Sequence, residues 1–231
     1  MDGQTMPGSS DEQRKPVIFV LTLGDEGTQI SFQNSHARFL NELFERATVY
    51  HARTAEKAFG LFTKCADPKA VFVADGGIAR PRCEVVAQKL VQYAASGGIV
   101  VFGGMFGTSS PEVLEKVLTH TWDLPWEAGS YHRTTHALNS DAVNSTLGSK
   151  LMPAYSQRAL HIYGMQRCDA WYLPTAHSVM EGWVPIVGPI DPNESPVVFS
   201  RCGTGHVGFV GDSEPEEGTI LVMLAMLGVL F

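Results

Sequence analysis

Three short glycine-containing segments, two of them also acidic, contain the residues of this chain best suited to catalysis or ligand binding. Each follows an apolar run of strand length, and they read Gly24-Asp25-Glu26, Asp75-Gly76-Gly77 and Gly103-Gly104-Met105. Carboxylates can polarise a substrate, transfer protons or bind a cationic or metal-bridged ligand. The backbone N–H groups of a glycine turn can hold an anion or an oxyanion. The segments therefore predict a binding or catalytic crevice.

We assign the residues of these segments to two roles. The candidate catalytic acids, which together predict an acidic rim, are Asp25, Glu26 and Asp75. The candidate ligand-binding residues are Gly24, Gly76, Gly77, Gly104 and Met105. The alternative is structural, because glycines permit tight turns between strand and helix, and acids cap or flank helix N-termini.

A second group of candidates lies in the polar run at 130–136, which reads Ser-Tyr-His-Arg-Thr-Thr-His. Threonine and tyrosine favour a strand, on which alternate side chains share a face. His132 and His136 then lie about 13 Å apart, too far to bind one metal ion, so we assign no metal site. His132 and Arg133 are candidate catalytic residues, for proton transfer and carboxylate binding, and Tyr131 is a candidate ligand-binding residue. A hydrogen-bonded surface strand is the alternative.

Glu181 is the last candidate catalytic residue. It lies in an irregular stretch and is followed by Gly182 and Trp183. It can act as a general base if this stretch folds over the crevice. A solvated surface carboxylate is the alternative, as for most exposed acids.

The elements that must position these residues alternate between strands and helices as far as residue 118. Apolar runs predict strands at 17–21, 47–50, 70–74 and 98–102, and Thr54 and Pro81 mark helix starts between them. Such alternation is typical of a mainly parallel sheet with helices on both faces. We predict an α/β fold, flavodoxin-like and doubly wound, whose strand ends bring the three glycine segments to one edge.

The chain after residue 119 is less regular. We predict an inserted region at about 120–195 that packs over the sheet, with short strands at 130–138, 159–163, 170–173 and 183–187. A late β-hairpin follows, because apolar runs at 196–201 and 206–211 flank a glycine-containing turn. Ser213 and Glu216 form a capping-box pattern, which predicts the start of the closing helix. We expect residues 1–15 to be a disordered tail and residues 16–231 to form one domain.

Composition narrows the class of partner. The 231 residues carry a net charge of −7 and no basic run, which argues against nucleic acid. Scattered cysteines and a polar N-terminal stretch without a leader pattern favour a reducing, cytoplasmic compartment. The apolar run at 220–231 is too short to cross a bilayer. We therefore expect a small-molecule ligand rather than nucleic acid or a membrane, identify no cofactor, and keep a homo-oligomer as an alternative.

The strand at 17–21, the Asp75-Gly76-Gly77 segment, the run at 98–107 and the closing hairpin resemble, in this order, the class I glutamine amidotransferase-like superfamily. The resemblance includes the trehalose-utilisation, or ThuA-like, branch and covers residues 16–118 and 196–231. Enzymes of this family place a cysteine in a Gly-x-Cys-x-Gly turn, where this chain has Met105. A thioether cannot act as a thiolate nucleophile. The family's late His-x-Glu pair is also absent, since His206 is followed by valine and glycine. The resemblance thus implies the fold but not glutamine hydrolysis.

Two functions remain. The first is a small-molecule-acting enzyme, of hydrolase or lyase type, in which acids and histidine replace the thiolate. The alternative is a non-catalytic ligand-binding or protein-interaction module, a pseudoenzyme. The missing cysteine favours the second, and the glycine segments with the polar insertion favour the first. The enzyme hypothesis predicts an open crevice lined by Asp25, Asp75, Gly104, Met105 and at least one of His132, Arg133 and Glu181.

Overall fold

The computed structural model describes residues 15–64, 67–182 and 190–231. Two predictions concern other parts of the chain. The tail up to residue 14 and the strand at 183–187 lie outside the described residues.

The N-terminal half forms a parallel sheet, as its alternating pattern predicts. Its strands are β1 (Val17–Leu21), β2 (Thr48–Ala52), β3 (Ala70–Val73) and β4 (Ile99–Phe102). The pairs β1–β2, β1–β3 and β3–β4 are all parallel. The helices between the strands are α1 (Glu26–Ser35), α2 (Ala37–Arg46), α3 (Ala55–Lys64) and α4 (Glu84–Ala95). The four predicted strands are therefore confirmed.

Strand β1 shows why its sequence is a continuous apolar run. Phe19 and Leu21 pack into one hydrophobic cluster, and Ile18 and Val20 pack into another. All four side chains are fully buried. A strand with both faces covered needs apolar side chains at every position. The carboxyl ends of β1, β3 and β4 consequently meet at one edge, where the three glycine segments begin.

The C-terminal half continues the same sheet with antiparallel pairs. Its strands are β5 (Glu127–Leu138), β6 (Ala154–Tyr163), β7 (Ala170–Pro174), β8 (Val197–Cys202) and β9 (Gly205–Val210). The strand order is β2-β1-β3-β4-β9-β8-β7-β5-β6, in which β9 is parallel to β4. The predicted late hairpin, β8–β9, is confirmed. We expected the region at 120–195 to pack over the sheet, but its strands extend the sheet sideways, since an open strand edge supplies their backbone hydrogen bonds.

Strand β6 finds backbone partners on both of its edges. One edge pairs with β5. On the other, the Leu160 N–H donates to the Gly211 carbonyl at 3.1 Å, and Ile162 exchanges two hydrogen bonds of 3.0 Å with Ser195. The antiparallel end of the sheet therefore bends back towards the end of β9.

Two short helices, α5 (Pro111–Leu114) and α6 (Ser145–Gly148), follow β4 and β5. The last helix, α7 (Glu217–Met226), begins later than the capping-box pattern predicts. Its N-cap is Glu216, whose side chain makes no cap hydrogen bond, and Ser213 is buried in the preceding turn. Asp212 holds that turn, because its carboxylate accepts a hydrogen bond of 2.6 Å from Thr219 Oγ1. Most of α7 is buried, and the described helices include none long and apolar enough to cross a membrane.

Candidate functional site

An open crevice of about 480 Å³ lies at the edge where β1, β3 and β4 end. Its walls come from the segments after these strands and from α5 (Pro111–Leu114) with the helical turns that follow it. Four predicted ligand-binding residues line it, namely Gly24, Gly76, Gly77 and Met105. The polar and charged side chains in its lining are Thr28, Arg80, Thr108, Ser109, Glu112 and Lys116.

Asp75 is buried in the wall beneath the crevice rather than exposed on its rim. Its Oδ1 accepts hydrogen bonds from the backbone N–H groups of Leu23 at 3.2 Å and Gly77 at 2.8 Å. Burial raises the pKa of the Asp75 carboxyl, and these backbone hydrogen bonds partly oppose the rise. Asp75 therefore joins the loop after β1 to the loop after β3, which makes it a positioning residue for the crevice.

Asp25 and Glu26 are engaged in the start of α1. Asp25 is the N-cap, and its Oδ1 accepts hydrogen bonds from Thr28 N at 2.8 Å and Thr28 Oγ1 at 2.9 Å. These bonds lower the pKa of Asp25, and the Arg80 guanidinium, 3.6 Å away, adds a small effect in the same direction. Glu26 lies in the first turn, where a carboxylate favours the helix dipole. For these two acids the structure agrees with the capping alternative.

Gly104 and Tyr131 lie outside the crevice lining, whereas Met105 forms part of it. Gly104 has a φ of +62°, and a Cβ there would lie 2.9 Å from the ring of Phe32. Tyr131 is 52% exposed on β5. Met105 is half-buried, with its Sδ 3.9 Å from Ser35 Oγ. Met105 therefore contributes a thioether to the crevice wall.

The charge of the crevice differs from the acidic rim that the sequence predicts. Arg80 and Lys116 line it, and Glu112 contributes a carboxylate, so two cations and one anion leave a formal charge of +1. Asp25 and Asp75 are not part of this lining. The ionised Asp25 carboxylate nevertheless lies 3.6 Å from Arg80 and offsets part of its charge, whereas Asp75 is buried in the wall. Arg80 follows the Asp75-Gly-Gly segment closely, and Lys116 lies one helical turn after Glu112 on the same face. These two positions in the sequence could have predicted that both cations lie at the crevice.

His132 lies in a buried cluster of imidazoles on β5 and β6, not in the crevice lining. The rings of His132 and His161 stack with centroids 4.2 Å apart, and the Nε2 atoms of His161 and His136 are hydrogen bonded at 3.0 Å. Burial lowers the pKa of His161 to about 3 and that of His136 to about 4, and the neighbouring imidazoles add to both shifts. These two rings are therefore neutral near pH 7.

Ser130 and Glu194 are the polar partners of His132. Ser130 Oγ lies 3.0 Å from His132 Nδ1 and donates a short hydrogen bond to the Glu194 carboxylate. Burial lowers the pKa of His132, and Glu194 opposes this shift. In a hydrolase triad the imidazole lies between the hydroxyl and the acid. Here the hydroxyl lies between the other two groups, so the arrangement does not activate Ser130 as a nucleophile.

Arg133 and Glu181 lie together on a separate, shallow surface of about 530 Å³ that Arg158 also lines. Arg133 Nη1 donates to Glu216 Oε1 at 2.6 Å and to Ser156 Oγ at 3.3 Å. Glu181 Oε2 accepts a hydrogen bond of 2.7 Å from the same Ser156 hydroxyl. Arg133 and Glu181 are thus close to each other, but neither lines the crevice.

The described residues include no assembled metal site, and the Cys83 thiol is not activated. No group of three or more His, Cys, Asp or Glu side chains within 15–64, 67–182 and 190–231 is placed to hold a metal ion. Cys83 is buried, and burial raises the pKa of its thiol, which disfavours the thiolate.

Replacing Asp75 by alanine is expected to lower the free energy of unfolding by about 2 kcal/mol, because two buried backbone N–H groups lose their acceptor. Asp25→Ala, which removes an exposed cap, is the matched control and should cost less. Urea denaturation of both variants measures the difference. An Asp75→Ala variant as stable as Asp25→Ala would contradict the positioning role.

No protein-family model matches this chain, and no curated protein matches it. Solved structures match in fold. A protein described as ThuA-like from Bacteroides uniformis superposes with a TM-score of 0.54 at 10% identity, over 97% of this chain and 94% of that one. Another described as ThuA-like, from Parabacteroides merdae, gives 0.57 at 11% identity, over 94% and 89% of the two chains.

A β-galactosidase from Bacillus circulans sp. alkalophilus also matches, with a TM-score of 0.58 at 13% identity. The match covers 94% of this chain but 31% of the β-galactosidase, so the chain spans about a third of that protein. At these identities the likeness concerns the fold alone. This chain thus has a mixed α/β fold, similar to that of ThuA-like proteins.

Proposed function

We propose that this chain is a ligand-binding module whose crevice takes a polar small molecule without transforming it. The observation that carries this proposal is the crevice itself, which is open and lined by backbone, hydroxyl and charged groups. It lies at the carboxyl ends of parallel strands, where open α/β sheets bind their ligands. Its volume of about 480 Å³ suits a small molecule.

The positions of the candidate catalytic residues support binding over catalysis. Asp25 caps a helix, and Asp75 is buried inside the wall, where its Oδ1 accepts hydrogen bonds from two backbone N–H groups. His132 has its own partners on β5. A general acid or base must reach the reacting atom directly or through one water. None of these three side chains belongs to the crevice lining.

An enzyme of hydrolase or lyase type is the second candidate, and Glu112 is the observation that favours it. Its carboxylate lines the crevice four positions before Lys116. A hydrogen bond from the Ser110 side chain, however, lowers the pKa of Glu112. A carboxyl with a lowered pKa is a weaker general base and holds no proton to donate near pH 7. Binding therefore remains our first proposal.

We also propose the finer description of the fold as flavodoxin-like and doubly wound, within a single domain at 16–231. The order β2-β1-β3-β4 supports the first part, together with apolar clusters on both faces of the sheet. The participation of all nine strands of the described residues in one sheet supports the single domain.

A thermal-shift screen against polar metabolites, followed by calorimetric titration of each hit, tests the binding proposal. Thr108 lies exposed at the crevice, so Thr108→Trp places an indole in it. We expect at least one hit to stabilise the wild-type protein and to lose its effect in Thr108→Trp. Thr63→Trp, at an exposed position in α3, is the matched control and should keep the effect.

Two results would overturn this proposal. Hits that bind Thr108→Trp as tightly as the wild type would place the binding site elsewhere. Conversion of a hit to product, followed by mass spectrometry and abolished in Glu112→Gln, would favour the enzyme.

A further inference from the structure

A second cavity, of about 660 Å³, adjoins the crevice. It lies between the segment at 78–81, helix α4 and the helical turns at 115–121. The two cavities share three lining residues, which are Ala79, Arg80 and Lys116. Because the same side chains border both spaces, one elongated ligand can contact Arg80 and Lys116 while occupying both.

The boundary between the cavities is cationic. Lys116 is exposed and forms no ion pair within the described ranges. Arg80 forms one ion pair, with Asp25 at 3.6 Å, and its charge also acts on the buried Asp75 carboxyl, while 38% of its side chain is exposed. A guanidinium carries five N–H donors, so one partner at this distance leaves donors for a ligand.

The carboxylates of the two cavities lie to either side of this cationic boundary. Glu112 lines only the crevice, and Glu84 lines only the second cavity. His120, also in the second cavity, faces Glu115 at 3.6 Å. An anionic group centred on Arg80 and Lys116 is therefore attracted by both cations, and the rest of the ligand extends towards the groups on either side.

The remaining polar groups are hydrogen-bonding side chains of the kind that recognise hydroxyls. The crevice contributes the hydroxyls of Thr28, Thr108 and Ser109. The second cavity contributes Gln88 and Thr121. Hydroxyl and amide side chains can both donate and accept, as a ligand hydroxyl can.

We propose that the crevice and the adjoining cavity form one site for an anionic, hydroxyl-bearing small molecule, whose carboxylate or phosphate binds between Arg80 and Lys116. This inference rests on the proposed binding function and specifies its ligand class. An acidic rim would instead favour a cationic or metal-bridged ligand. The chain's net charge of −7 further limits the site to small anions, because the rest of the surface repels polyanions.

Calorimetric titration with four probes tests the ligand class. Gluconate and glucose 6-phosphate carry hydroxyls with a carboxylate or a phosphate, sorbitol carries hydroxyls alone, and inorganic phosphate carries charge alone. We expect one of the first two to bind more tightly than both sorbitol and inorganic phosphate. Whichever of the two binds more tightly identifies the anionic group.

Charge-removing variants test the position of the anion. Arg80→Gln and Lys116→Gln should each weaken binding of the preferred probe at least about tenfold, since a hydrogen bond to a charged group contributes about 1.5–3 kcal/mol. Arg82→Gln is the matched control, because Arg82 lies two positions from Arg80 and lines neither cavity. Its affinity should equal that of the wild type.

The outcomes separate this inference from the proposed function. Sorbitol binding as tightly as gluconate and glucose 6-phosphate, unchanged in Arg80→Gln and Lys116→Gln, would overturn the anionic class and leave the binding module intact. Inorganic phosphate binding as tightly as the hydroxylated anions would overturn the requirement for hydroxyls. No binding of any probe, with hits in the metabolite screen that are blocked by Thr108→Trp, would overturn the inference alone. No binding in either experiment would overturn both.

Discussion

Replacing Gly77 by alanine is expected to lower the free energy of unfolding by about 3 kcal/mol, because the site has no room for a methyl group. A Cβ at Gly77 would lie 2.2 Å from the carbonyl carbon of Leu23 and 2.3 Å from the nitrogen of Gly24. Both contacts are with backbone, which cannot rotate away as a side chain can. Separating the two loops would also disturb the hydrogen bond from Gly77 N to Asp75 Oδ1.

Gly60→Ala is the matched control for this substitution. Gly60 lies inside helix α3, and a Cβ there would meet nothing within 4 Å. Alanine in a helix interior is favoured over glycine by about 0.5–1 kcal/mol, so this variant should be slightly more stable than the wild type. Urea denaturation of the two variants gives both values. A Gly77→Ala variant within 1 kcal/mol of the wild type would contradict the close contact between the loops after β1 and β3.

The parallel half of the fold is readable from the sequence because each of its strands is buried on both faces. Continuous apolar runs such as Val17–Leu21 leave few alternatives, and the right-handed crossover rule then limits the topology. The edge at which the glycine segments meet follows from that topology. The position of β5, β6 and β7 does not follow, because partly exposed antiparallel strands can join any free sheet edge.

The role of the acids could not be read from their position after a strand. Asp25 and Asp75 both follow a strand end, and both side chains instead accept hydrogen bonds from nearby backbone N–H groups. Whether such a carboxylate faces a cavity or caps a helix depends on where the next helical turn begins. In both cases that turn begins at the very next residue, so the carboxylate satisfies it.

The imidazole cluster could not be predicted from the sequence for a different reason. Alternation along a strand places His132 and His136 on one face of β5, as the structure has them, and it also keeps them apart. His161 comes from the paired strand β6 and contacts both of the other rings. The register between β5 and β6, which brings His161 there, depends on a bulge between Ala128 and Tyr131. Gly129 lies within that bulge, and a single strand glycine indicates a bulge without fixing the register that follows it.

Acidification from pH 7.5 to pH 5 is expected to destabilise the protein through these buried histidines. Burial lowers the folded-state pKa of His161 to about 3 and that of His136 to about 4, from 6.5 in an unfolded chain. Between each folded-state pKa and 6.5, the histidine is protonated in the unfolded chain but neutral in the folded protein. The free energy of unfolding therefore falls as the pH falls. Each of the two side chains should contribute a loss of about 2 kcal/mol at pH 5.

Other titrating groups act in the same pH range and must be separated from the cluster. His36, elsewhere in the core, has its pKa lowered by burial to about 4 and adds a loss of the same sign. Burial raises the pKa of Asp75 and of Asp212, so these carboxyls take up protons in the folded state first and oppose the loss. Glu194 faces His132 and favours its protonation. His36, Asp75 and Asp212 lie outside the imidazole cluster, so their contributions are common to the wild type and a His161 variant. The difference between the two therefore reports His161 together with the two rings that it contacts.

The decisive measurement is the slope of the unfolding free energy against pH between 5 and 6, obtained by urea denaturation. His161→Gln removes one buried titrating group and should reduce the slope by roughly 1.2 kcal/mol per pH unit, because the unfolded-chain histidine binds nearly one proton more than the folded one in this range. His36→Phe should give a similar reduction from an independent site, which keeps the test valid if His161→Gln folds poorly. His177→Gln is the matched control, because His177 is exposed, and it should leave the slope unchanged. A His161→Gln slope equal to that of the wild type would mean that His161 can be protonated within the fold, and hence that the stacked cluster opens to water.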